Sequence, residues 1–94
     1  MKTYIIIYDL NQPGQDYTRL IKKIESVFEC WWNHLESTWI VRTNLSAEAI
    51  RDTLLPLTDP NDELLVIGLR EEAAWSGFDE LANEWLTENV QGAG

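Results

Sequence analysis

Asp9 is the residue in this chain best placed by its neighbours to do chemistry. It closes the run Thr3-Tyr4-Ile5-Ile6-Ile7-Tyr8 and stands just before the turn signal Asn11-Gln12-Pro13-Gly14. A carboxylate there sits at the rim of a sheet, where it either caps the turn through local hydrogen bonds or binds a metal or acts in catalysis. Metal-dependent phosphodiester cleavage needs carboxylates to hold a hard cation that activates water and neutralises charge developing on phosphate. Asp9 is the candidate catalytic and metal-ligating residue, Mg2+ or Mn2+ being the cation such a role calls for. Asn11 is a neutral oxygen donor nearby and Ser37 a second polar candidate, both taken as binding residues. No cofactor is otherwise demanded.

The remaining reactive side chains are poorly supported. His34 is the sole histidine and could serve as a general base, but on a strand it alternates with Trp32 and Cys30, and packing against Trp32 is the expected role. Cys30 and His34 have a C-x3-H spacing, yet zinc normally takes four ligands and no second Cys or His exists to complete them. Ser37 and Ser46 lack a His-carboxylate arrangement, and no Gly-rich phosphate loop is present.

The elements that must position these residues follow from hydrophobic period. The first apolar run suits a strand buried on both faces. Tyr17, Leu20, Ile21, Ile24, Val27 and Phe28 recur at helical spacing, predicting a helix over about residues 15–28. Cys30 to Leu35 and Thr38 to Thr43 read as strands joined by a hairpin near Glu36-Ser37. Ser46 is the expected N-cap of a helix whose buried stripe is Ala47, Ile50, Leu54 and Leu57, stopped at Pro56 and the Thr58-Asp59-Pro60-Asn61-Asp62 turn. Glu63 to Leu69 is another strand apolar on both faces. Ser76-Gly77-Phe78-Asp79 resembles a capping box and introduces a last helix with Phe78, Leu81, Ala82, Trp85 and Leu86 inward. Residues 1–90 form one domain on this reading and 91–94 a frayed tail.

The order strand, helix, strand, strand, helix, strand matches the ferredoxin-like plan, an α+β fold with a four-stranded antiparallel sheet and two helices on one face, here with an extra acidic C-terminal helix. Two helices cover one face only. The other needs the last helix, a second subunit, or both, and a homodimer is expected. Trp75 and Phe78 are the candidate interface residues.

Charge limits the partners. Residues 1–58 carry six bases against seven acids, whereas residues 59–94 carry nine acids against Arg70 alone. A phosphate backbone would be repelled by the second half, so nucleic acid is disfavoured without being excluded. The five tryptophans would be flanked by bases in a stacking platform; here Glu29, Glu71 and Glu72 precede them, which favours core or interface roles. One cysteine excludes an internal disulfide. The opening run is cut short by Asp9 and lacks a small-residue cleavage site, and no stretch approaches a membrane span, so a soluble cytoplasmic protein is expected.

Tyr4-Ile5-Ile6-Ile7-Tyr8-Asp9-Leu10, Glu36-Ser37-Thr38-Trp39-Ile40-Val41 and the element order resemble the small CRISPR-associated adaptation subunit. They resemble still more its stand-alone, SinR-like relatives, with VapD-type toxins as distant cousins. Asp62-Glu63-Leu64-Leu65-Val66-Ile67 and Ala73-Ala74-Trp75-Ser76-Gly77-Phe78 are similar to the stand-alone group in particular, and the likeness spans about residues 1–78. The resemblance implies a ferredoxin-like homodimer. In some members an Asp ending the first strand, one from each subunit, binds a divalent metal for phosphodiester cleavage. Asp9 matches that position, and Ser37 falls near the polar residue opening the third strand. Other members are structural and bridge a larger complex. This chain departs in its sparse bases and in its acidic C-terminal helix, where those proteins usually place a further strand that pairs across the dimer.

Three functions follow as expectations. The leading one is a homodimeric protein-interaction or assembly module without catalysis, in a defence or mobile-element context suggested by the resemblance alone. The alternatives are a metal-dependent ribonuclease or deoxyribonuclease with paired Asp9 carboxylates, and an acidic inhibitor of a nucleic-acid-binding protein. A nuclease requires Lys2, Arg19, Lys22, Lys23 or Arg42 near Asp9.

Overall fold

The computed structural model describes residues 1–10, 17–35, 37–70 and 73–90. Asn11, the turn around Pro13, Glu36 and the 91–94 tail lie outside the described residues. Four strands, β1 (Lys2–Asp9), β2 (Cys30–Leu35), β3 (Thr38–Thr43) and β4 (Glu63–Gly68), alternate with α1 (Thr18–Val27) and α2 (Ala47–Leu54), and α3 (Glu80–Asn89) follows. The fold is α+β, with an open antiparallel sheet in the order β2-β3-β1-β4. β1 pairs antiparallel with both β3 and β4, and β2 with β3. The chain thus crosses through α1 from β1 to a parallel β2 with β3 between them, and through α2 from β3 to a parallel β4 with β1 between them.

The period of two along β1 divides the apolar run between two environments. Tyr4, Ile6 and Tyr8 are buried with Trp39 and Val41 of β3 against Leu20 and Ile24 of α1 and Ile50 and Leu54 of α2. Trp39 is the largest wholly buried side chain; its Nε1 donates to Tyr8 Oη at 2.9 Å, satisfying a polar group deep in the core. Ser46 caps α2 as expected, its Oγ accepting from Ala49 N at 3.1 Å. Leu55–Leu57, containing Pro56, form a 3-10 turn that ends the helix.

The opposite face has a smaller core. Trp32 and Ile40 bury against Ala82, Leu86 and Val90, with Trp75, Phe78 and Trp85 packed around them. Trp32 Nε1 donates to Ala82 O at 3.2 Å and Thr3 Oγ1 to Asn89 O at 3.2 Å, pinning both ends of α3 to the sheet.

Several expectations need correction. Neither β1 nor β4 is buried on both faces: Ile5 and Ile7 are half-buried, and Leu65 and Ile67 are exposed at 52% and 43%. α3 seats over β2 and β3 and meets β1 at Thr3 and Ile5, so the β4 side of that face stays open. The cap of α3 is Asp79, whose side chain accepts from Ala82 N at 2.9 Å, and not Ser76. Leu81 is 76% exposed rather than inward: at 100° per residue it falls between Glu88 and Trp85, at least 100° round the helix from Ala82 and Leu86.

Candidate functional site

Asp9 is the last residue of β1 and is exposed. Antiparallel pairing with β4 sets Glu63 directly across from it. Like charges set directly across a strand pair repel each other. Ile7, Tyr8, Asp9, Glu63, Leu64 and Leu65 line a shallow cavity of about 360 Å³ there. Ser37 reaches the same strand end from the β2–β3 hairpin. Its φ of 58° is in the left-handed region, which turns the chain tightly, and its carbonyl accepts from Tyr8 N at 3.2 Å. The structure therefore brings Ser37 and Asp9 to one rim; Asn11 lies outside the described residues.

The donor set is thin for a hard cation. Among the described residues no three His, Cys, Asp or Glu side chains converge, whereas Mg2+ demands near-octahedral oxygen coordination. Asp9 and Glu63 are the carboxylates among the described residues that line this cavity, fewer ligands than a hard cation takes. His34 takes no part: it is exposed and lies against Trp32, ring centroids 5.1 Å apart. Cys30 Sγ donates to Asn89 Oδ1 at 3.4 Å, tying β2 to α3.

The bases lie elsewhere. Lys2, Arg42 and Arg70 line one cavity, Arg19, Lys22 and Lys23 line a groove between α1 and α2, and Arg51 pairs with Asp52 at 2.9 Å. None lines the Asp9 cavity. Thr3 pairs with Arg42, and at 3.2–3.4 Å rise per residue the Arg42 end of the sheet is about 20 Å from Asp9.

Trp75 and Phe78 have contacts within the chain. Phe78 meets Trp32 edge-on at 5.0 Å, which suits the ring quadrupoles, and Trp75 Nε1 donates to Asn83 Oδ1 at 2.7 Å. Both remain half-buried and border a cavity of about 320 Å³ over Ile5, Thr38 and Ile40.

Two features were missed from the sequence. Glu63 opposite Asp9 had a signal, since β4 opens with a carboxylate just as β1 closes with one. The gathering of Lys2, Arg42 and Arg70 had none, because it depends on strand register between distant segments. No family model, curated protein or solved structure matches the chain.

Proposed function

We propose that this protein is a homodimeric, ferredoxin-like assembly module that associates through the open half of its second sheet face and works without catalysis. The observation carrying the reading is the strip of Ile5, Ile7, Leu65 and Ile67. Register places Ile5 beside Ile67 and Ile7 beside Leu65, so an apolar strip runs from Ile5, at the margin of the α3 core, to Ile7, Leu65 and Ile67 on the part of the sheet face beyond that core. β4 is also an edge strand, the kind of template on which a second chain pairs. The interleaved crossovers, β1 to β2 around β3 and β3 to β4 around β1, support the ferredoxin-like reading. With the resemblance to SinR-like proteins, they also support kinship with the structural members of that group.

The nuclease reading is less favoured, because Asp9 faces Glu63 while the bases line other cavities. A partner protein with a basic, partly apolar groove is the second reading. It is favoured by exposed Leu81 at the edge of the stripe of Glu80, Glu84 and Glu88, an arrangement suited to helix-in-groove docking.

Light scattering gives a mass of twice the 10.9 kDa chain on the assembly reading; a monomer at millimolar concentration contradicts it. On the same reading, single- and double-stranded RNA and DNA incubated with Mg2+ or Mn2+ are expected to remain intact. Cleavage that disappears in Asp9→Ala would establish the nuclease reading instead.

A further inference from the structure

The cavity at the end of the sheet opposite Asp9 stands apart from the rest of a chain of net charge −9. It encloses about 290 Å³ and is lined by Lys2, Arg42 and Arg70, with Glu88 the only acid among the described residues that line it. Lys2 pairs with Thr43 and Arg42 with Thr3 at the adjoining ends of β1 and β3, so the two side chains leave opposite faces and the cavity spans the end of the sheet; Leu69 N donates to Thr3 O at 2.8 Å, drawing the chain after β4 alongside. None of the three bases forms an ion pair among the described residues, Glu88 included.

Arg42 is the informative member. Its Nε is buried with no hydrogen-bond partner, and its Nη2 donates to Met1 O at 3.3 Å. The buried Nε lies out of reach of a ligand in the cavity, so an anion there meets the outer guanidinium nitrogens, whose charge no carboxylate offsets among the described residues. Arginine offers a planar fork of five donors matched to phosphate and carboxylate oxygens. Lys2 and Arg70 add charge at the exposed rim.

We propose that this cavity binds the phosphate group of a small phosphomonoester. Two negative charges suit three cations that, among the described lining residues, Glu88 alone opposes, and the Glu88 carboxylate offers an acceptor to a hydroxyl carried beside the phosphate. The volume suits a small molecule. A polynucleotide entering here would run onto the acidic face of α3, where Glu80, Glu84 and Glu88 repel it.

The test is isothermal titration of the full chain with inorganic phosphate, glycerol phosphate and a phosphorylated single-stranded oligonucleotide at low ionic strength. Saturable one-to-one binding of glycerol phosphate is expected, weakening as salt is added. Arg42→Gln lowers affinity by about tenfold or more, as loss of a charge-assisted bond implies. Arg42→Lys, which keeps charge but loses the fork, recovers only part of it. Lys22→Gln, in the other basic groove, binds as wild type does. If Arg42→Gln does not fold, Arg70→Gln at the exposed rim decides the matter, with weaker binding expected. Absence of saturable binding by either small phosphate, undiminished binding in the Arg42 and Arg70 variants, or binding of the oligonucleotide alone would overturn the proposal.

Discussion

The hydrogen bond between Trp39 and Tyr8 gives the sharpest test of the main core. Trp39 is 1% exposed, stacks edge-on against Trp31 at 5.2 Å and donates its Nε1 to Tyr8 Oη at 2.9 Å. Trp39→Ala should cost about 3–5 kcal/mol, the range for deleting a buried large aromatic. A domain of this size has about 5–14 kcal/mol to lose, so gentler changes are more informative. Tyr8→Phe leaves a buried indole N–H without its acceptor and should cost about 1–3 kcal/mol; Trp39→Phe leaves the Tyr8 hydroxyl without its donor and also shortens the ring. Once either partner is gone, removing the other no longer breaks that bond, so the double variant should cost about 1 kcal/mol less than the sum of the two. Urea titrations followed by far-ultraviolet circular dichroism measure this, provided the slopes with denaturant agree among the four proteins. Additivity within about 0.3 kcal/mol would refute the bond as an energetic contact. A Trp39→Ala cost below about 1 kcal/mol would put the ring outside the core.

Other consequences are narrower. Ser46→Ala removes the cap of α2 and should lower stability by about 0.5–2 kcal/mol in the same titration, with Ser46→Asp largely retaining it. Asp9→Asn removes one of two opposed carboxylates and should leave stability unchanged or raise it by up to about 1 kcal/mol; a large loss would instead make Asp9 a structural turn residue. Trp32→Phe breaks the bond to Ala82 O. Hydrogen exchange should then quicken across α3 before it does in β1 or β3; uniform acceleration would show that α3 does not open separately.

Much of the fold was legible because it rests on local period and punctuation. The helical recurrence of Leu20 and Ile24, the Ser46 cap and the stop at Pro56 are properties of short stretches, and the sheet strands followed from their β-branched and aromatic runs. Tertiary packing decided the rest. β4 reads as apolar on both faces, yet nothing local says which half of that face α3 will cover. Asp79 rather than Ser76 caps α3, while Trp75 and Phe78 before it pack against Trp32 and Ile40. Helical spacing alone drew Leu81 inward, whereas the buried side of α3 is centred on Ala82 and Leu86. At the candidate site, the position of Asp9 at the sheet rim was readable, but its confrontation with Glu63 and its distance from Arg42 are matters of register.

The association face is the central claim, and a sedimentation-velocity dilution series on wild type and Ile67→Glu tests it most directly. Ile67 is exposed on an edge strand, so the substitution spares the core and should leave the circular dichroism spectrum unchanged while placing a charge in the proposed interface. The account expects a wild-type dimer that dissociates only on dilution and a variant that is monomeric throughout. A wild-type monomer at every concentration, or a variant dimer as tight as wild type, would contradict it.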